Sequence, residues 1–501
     1  IVPFMNRLLS GCTLAFCLCG SSWLCAQDTV LELSLGQSLE RVRQESNTLR
    51  IADRAVEWAQ GEHQRINAFW YPSVNVSGAY LHTASRIEVE EPLNQFTDPV
   101  KDYVHTVLPD DKFITGILDR IGSYSLRFPL APRDLATIDA NITWPVFTGG
   151  KRIYAGRMAK TMIEAARVGR EQAGAQVQTL LVESYFALRL GLRVVEVREQ
   201  TFRALERHYR DALKLEAEGM INKAERLFVQ VSRDEARREL ETAREELDVA
   251  RSVLRTMIRV DSLVEIDPVT PLFIHDTLPP ESHFKAVSRQ ENHAVTQLRL
   301  QGEAAEDELR MSKSSYAPVV ALFGKHTLYS HGIQKNLVPR TVFGVGLTWN
   351  LFDGFDREKK IRQARIARQS LGLSERKAAD DVDIGVDKLY SQMRNALSDL
   401  KALETTIELN EELVRMRRKA FAEGMATSTE VVDAETMLSK ARIASLLAFY
   451  QYDAALANLL ALCGTPEAFE RYSRSGRTED YLFAPRSGAA AVSDGTNDTI
   501  R

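Results

Sequence analysis

Cysteine is nearly absent from the body of this 501-residue chain: Cys12, Cys17, Cys19 and Cys25 fall within the first 25 residues, and only Cys463 follows. One thiol cannot close an internal disulfide, so stability has to come from packing and assembly. Proline is missing from two long stretches, between Pro145 and Pro268 and between Pro339 and Pro466. Long apolar runs are missing too; beyond the N-terminus none reaches the roughly 18 residues that a spanning helix needs. Charge of one sign is not in excess, since 26% of residues are charged and the formal net charge is −4. That balance lacks the basic footprint of a nucleic-acid binder. The nine histidines are scattered, with no His-Glu-x-x-His and no cysteine pair to hold a metal. No catalytic constellation, cofactor site or metal site emerges, so an enzyme has no residue support. "TGGKR" (Thr148 to Arg152) lacks the spacing of a nucleotide-binding loop. Glycines at a bend account for it.

The N-terminus carries an address. Met5-Asn6-Arg7 precedes an uncharged stretch from Leu8 to Leu24, then Cys25-Ala26. A basic residue, an apolar segment and a small residue at the cut predict a secretory signal over 1–26. "LSGC" (Leu9 to Cys12) has the look of a lipidation box, but too few apolar residues precede it.

What the chain does contain is one phrase written twice. "ITWPVFTGGKR" (Ile142 to Arg152) returns 205 positions later as "LTWNLFDGFDR" (Leu347 to Arg357). "EGMINKAE" (Glu218 to Glu225) returns at the same offset as "EGMATSTE" (Glu423 to Glu430). Pro72-Ser73-Val74 and Pro318-Val319-Val320 are 246 positions apart instead. The first copy therefore carries about 41 extra residues, within a connection running roughly from Ala84 to Ala136. The spacing predicts two structural repeats, 27–270 and 271–466, followed by a polar tail, 467–501, whose composition predicts disorder.

Each proline-free stretch is rich in Ala, Leu, Glu, Arg and Gln, all good helix formers. The strong interruption in each is "EGM", at Gly219 or Gly424, a plausible helix stop. A helix from about Gly150 to Glu218 would be roughly 100 Å long. Ala236, Leu240, Ala243, Leu247, Ala250 and Leu254 alternate three- and four-residue steps, which is a coiled-coil seam. The flanks read as strands, at about 73–83, 137–147, 319–329 and 341–351, where apolar residues alternate with small or polar ones. Their length suits a tilted membrane-spanning strand, and Trp144 and Trp349 suit an interfacial girdle. A soluble sandwich would show the same alternation. If the strands span lipid, four cannot close a barrel and an open edge cannot sit there. Three chains would give twelve strands, within the range of known barrels.

In "LSLGQSLERVRQESNTLR" (Leu33 to Arg50), "YPSV", "PVFTGGKR", "LFDGFDR" and above all "FAEGMATSTEVVDAE" (Phe421 to Glu435), the chain resembles the TolC-like outer-membrane efflux protein family. The resemblance covers both repeats. It implies a mixed α+β fold with an internal two-fold repeat. Long antiparallel coiled-coil helices would form a periplasmic α-barrel, and four strands per chain would join a trimeric 12-stranded outer-membrane β-barrel. It also implies a passive exit duct in a tripartite efflux or type I secretion system. The partners would be two further copies, outer-membrane lipid, a periplasmic adaptor and an inner-membrane transporter, with no nucleic acid and no cofactor. An exported trimeric coiled-coil stalk or adhesin is the alternative, though it leaves the matched tip motifs unexplained.

The resemblance also distributes roles. Gly149, Gly150 and Gly354 would mark strand-to-helix bends. Gly219, Met220, Gly424 and Met425 would form adaptor-docking tips. Glu225, Glu430 and Asp433 would line the channel entrance, where threefold symmetry turns each acid into a ring that favours cations. Acids in a first helical turn also stabilise the helix start, which is the plainer reading of the same residues. The family's better-known members restrain the closed entrance with a tyrosine and an arginine. The matching positions here hold Phe421 and Ala426, so a closed state would need other contacts, with Asn222, Lys223 and Arg226 as nearby polar candidates.

Overall fold

The computed structural model of the protein describes residues 30–483, apart from 85–86, 108–111, 132, 262–263 and 333–338. The expected signal over 1–26 and the last part of the expected tail lie outside the described residues. Strand β1 (Val30–Leu33) leads into α1 (Leu35–Glu45), which Ser34 and Gln37 open with a capping box, and then α2 (Asn47–Asn67). A tight helical turn, Ala68–Trp70, feeds β2 (Ser73–His82). The connection expected over 84–136 is not plain loop. It holds a hairpin of β3 (Ile87–Pro92) and β4 (Ser125–Ala131), with α3 (Asn94–Val107) and α4 (Lys112–Gly122) between them. Strand β5 (Asp134–Phe147) then returns beside β2.

Next come α5 (Lys151–Ala217), α6 (Lys223–Ile258) and the short strands β6 (Glu265–Pro268) and β7 (Phe273–Ile274). The second half repeats the order: α7 (Glu281–Glu291), α8 (His293–Lys313), a tight turn Ser314–Tyr316, β8 (Val319–His331) and β9 (Thr341–Thr348). Then follow α9 (Asp356–Ala422) and α10 (Ser428–Leu462). Both α5 and α9 are 67 residues long. The expected coiled-coil seam of α6 is buried at Ala236, Leu240, Ala243, Leu247 and Leu254.

The residues after Pro466 correct the expectation of a disordered tail as far as Phe483. They form α11 (Ala468–Ser473), β10 (Arg477–Thr478) and a helical turn at Glu479–Leu482. Their polar composition conceals two apolar anchors, Phe469 and Leu482, both buried in the main core. Glu479 is buried as well, but Arg189 meets it at 2.8 Å, so its charge is paired. That core also holds Leu181, Tyr185, Phe186, Phe273, Phe449 and Tyr452. It is tied by short strand pairs, β1 with β6 and β7 with β10.

The four long strands form one antiparallel sheet in the order β2-β5-β8-β9. One face carries Val74, Ile142, Trp144, Leu322, Phe343 and Val345, brought together by the pairs Val74–Ile142, Trp144–Leu322 and Leu322–Val345. These side chains are exposed, Phe343 to 84%. In water, apolar surface carries about 25 cal/mol per Å2; hydrocarbon removes that cost. The other face is mostly polar, with Phe323 and the Leu81–Leu135 pair among its apolar members. Asn141 donates to Ser77 Oγ at 2.9 Å, Lys325 meets Asp139 at 2.9 Å, and Thr327 donates to Asp139 at 2.7 Å.

Helices continue the strands in the same order, α2-α5-α8-α9 beneath the sheet and α6-α5-α10-α9 further away. The doubled phrase sits at this junction. Trp144 Nε1 donates to the Trp70 carbonyl at 3.0 Å, and Trp349 Nε1 donates to the Tyr316 carbonyl at 3.0 Å. Arg152 donates to the carbonyls of Phe69 (2.9 Å) and Val146 (2.7 Å), and its guanidinium lies 4.3 Å from the Trp70 ring centre. Arg357 repeats this with the Leu351 carbonyl at 3.0 Å and the Tyr316 ring at 4.9 Å. Each copy thus clamps the turn before one strand to the bend after the next.

The bends need left-handed backbone. Gly149 has φ +62°, Gly150 +89° and Gly354 +69°, while Phe355, in the place of Gly150, has +66°. A Cβ on Gly354 would meet nothing within 4 Å, whereas one on Gly149 would lie 2.5 Å from Ala317 Cβ and 2.6 Å from the Ser314 carbonyl. Gly354→Ala is expected to cost about 1–2 kcal/mol of left-handed strain, and Gly149→Ala distinctly more. Thermal melting of the purified variants checks the order; equal shifts would mean the junction is looser than its contacts.

Candidate functional site

The free ends of the two helical hairpins, α5–α6 and α9–α10, bring most of the sequence-predicted residues together. Helix α5 ends with Gly219 N donating to the Glu216 carbonyl (3.0 Å) and Met220 N donating to the Leu215 carbonyl (2.8 Å). Helix α9 ends identically, Gly424 N to Phe421 (3.0 Å) and Met425 N to Ala420 (2.8 Å). Such a stop needs a left-handed residue, and Gly219 and Gly424 supply it at φ +73° and +74°. Met220 and Met425 project into solvent at these turns.

The next helices start on side-chain caps. Asn222 Oδ1 accepts from Glu225 N at 3.0 Å. Thr427 and Glu430 form a reciprocal capping box: Glu430 N donates to Thr427 Oγ1 (3.4 Å), and Thr427 N donates to Glu430 Oε2 (3.0 Å). Glu430 also meets Arg417 at 3.2 Å. Glu430 is thus engaged in starting its helix, while Asp433, one turn on, is exposed and has no partner among the described residues. Arg226 reaches back to Glu216 at 3.0 Å, pinning its own hairpin. Lys223 is exposed and Ala426 half-buried.

Phe421 is not at the surface. It is 6% exposed, its ring 4.5 Å from that of His208 on α5. Sequence reasoning missed His208, although its neighbours Leu205 and Ala212 mark a buried face. It also missed the ion pair of Arg418 with Glu435. Glu435 follows Val431, Val432 and Ala434 on an apolar face, which was the available signal. Burial raises the Glu435 carboxyl above its ordinary range, and Arg418 opposes that rise. Burial lowers His208. Among the described residues no helix is long and apolar enough to cross a membrane, and no group of His, Cys, Asp and Glu is placed to hold a metal.

Residues 287–465 match the family model described as outer membrane efflux protein. The alkaline protease secretion protein AprF of Pseudomonas aeruginosa is 25% identical over 264 residues, which cover 51% of this chain and 51% of that protein. The match therefore spans about half the length of that relative. The structure of the outer membrane protein VceC from Vibrio cholerae superposes with a TM-score of 0.66 at 16% identity, covering 86% of this chain and 96% of that one. The CmeC outer membrane channel of Campylobacter jejuni gives 0.64 at 13% identity, covering 88% and 89%. The TolC-like resemblance read from the sequence is borne out: residues 287–465 match the outer membrane efflux protein model, inside a chain that has the fold of these outer-membrane channels.

Proposed function

We propose that three copies of this chain assemble into an outer-membrane exit duct, a passive conduit fed by an inner-membrane transporter through a periplasmic adaptor. The observation that carries this reading is the pair of open edges. Strands β2 and β9 end the sheet, and the helices at the same two sides, α2 and α6 against α9, end the helical layer. Exposed Ile51 and Trp58 on α2, and Ile366 and Leu373 on α9, are the apolar surfaces a neighbouring copy would cover. Three copies would close a twelve-stranded barrel. The family-model match over residues 287–465 favours efflux as the task, and the name of the P. aeruginosa relative favours polypeptide secretion.

In this reading the β3–β4 insert lies outside the cell and the helix tips lie in the periplasm. Gly219, Met220, Gly424 and Met425 would receive the adaptor, and Asp433, with Glu225 and Glu430, would face the entrance. The test is membrane fractionation followed by planar-bilayer recording. The protein is expected in the outer-membrane fraction, giving stepwise conductance after purification. A protein that anchors cells yet never conducts would support the stalk reading instead.

A further inference from the structure

The two hairpins run side by side to free tips, and few polar side chains tie one to the other. Asn458 donates to Glu183 (2.6 Å) and Arg442 donates to Gln200 (3.0 Å). Nearest the tips, His208 of α5 meets Phe421 of α9. Beyond that contact no side-chain hydrogen bond or ion pair among the described residues crosses between the hairpins. Arg226–Glu216 stays within the first, and Arg417–Glu430 and Arg418–Glu435 stay within the second. Beside the two rings lies a cavity of about 440 Å3, open between α5, α9 and the start of α10. His208 is 7% exposed, and its Nε2 is buried without a hydrogen-bond partner.

We propose that His208 is a proton-operated latch between the hairpins: neutral, its ring packs on Phe421 and keeps the tips together; protonated, it parts them and widens the entrance. The proposal deepens the exit-duct reading and rests on it. A buried imidazolium with an unpartnered N–H is costly, and hydration through the adjoining cavity relieves that cost only if the seam opens. The charged groups facing the ring do not reverse this. From α5, Asp211 favours the cation and Glu218 lines the same cavity, while Arg207 and Lys214 line it with like charge. From α9, Arg418 opposes it; from α10, the Ser428 backbone favours it, and Glu435 is already paired with Arg418. Burial is the largest influence and lowers the folded-state value. The closed contact therefore keeps its full strength above pH about 6.5, and loses it as pH falls below that.

Conductance of the purified channel is compared at pH about 7.5 and about 5, a window in which histidine changes charge. The wild-type chain is expected to conduct several-fold more at the acid pH. His208→Phe keeps the ring pair and should give low conductance at both. Glu435→Gln should keep an acid response but move it to lower pH, because it frees Arg418 to oppose the cation. A His208→Phe channel with the wild-type acid response overturns the latch, as does a wild-type channel indifferent to pH. Spin labels at Met220→Cys and Met425→Cys give a readout that does not depend on the histidine variant folding. Their separation should grow on acidification in the His208 chain, and an unchanged separation overturns the latch. A chain that conducts at neither pH overturns the exit-duct reading, while the label distances still decide the latch.

Discussion

Val345→Lys is expected to remove the assembled form from detergent extracts, in which the unaltered protein is expected to run at three chain masses. Val345 lies in the middle of β9, opposite Leu322, on the apolar and exposed face of the sheet. A lysine at the midplane of a lipid-facing strand costs about 2–4 kcal/mol. Threefold assembly repeats that cost in every copy, about 6–12 kcal/mol for the complete barrel. Thr348→Lys is the control, since its position alternates to the polar face in the same strand. It should leave the trimer intact. Native mass measurement in a mild detergent reads both variants. A monodisperse monomer of the unaltered chain, with its secondary structure retained, would defeat the assembly.

Asp433→Ala is expected to lower cation selectivity, and Glu430→Ala chiefly to loosen the tip. Asp433 is exposed with no partner among the described residues, so in a trimer three such carboxylates would surround one axis and attract cations. Glu430 closes a capping box and meets Arg417; its loss should cost about 1 kcal/mol of helix-start stability. The double variant should reduce the reversal potential in a salt gradient and relieve block by trivalent cations. If selectivity and block are both unchanged, these acids serve their helix and nothing else.

Much of this architecture was legible in the letters because two strong periodicities do not overlap. The four long strands announce themselves by alternation and by the tryptophans, and they lie within about three residues of the expected bounds. The long helices are delimited by proline and the "EGM" stops, and α5 runs from Lys151 to Ala217 against an expected Gly150 to Glu218. Three regions escaped, the first being the hairpin and two helices inside the connection over 84–136. The β1–β6 and β7–β10 pairs are two to four residues long, too short for any period to show. Residues 467–483 look polar because their anchoring is concentrated in Phe469 and Leu482, with arginines from α5 pairing the acids. At the tips, glycine and cap positions follow from local rules. His208 does not, because its partner Phe421 is brought to it by the crossing of helices more than two hundred residues apart in sequence.

The dense core lies near the middle of α5, at Leu181 to Leu188, and this makes each hairpin a lever with its fulcrum halfway along. The free arm below it is about 30 residues, roughly 45 Å. A rotation of about 6° would carry its end through about 5 Å, while side chains at the fulcrum move by only a fraction of an ångström. In a ring of three such arms the aperture would dilate by about twice that displacement. Because a rigid rod would swing its other end just as far, the strands, held by their tryptophan and arginine clamps, would keep their hydrogen-bond ladder unstrained only if each helix flexes at the core.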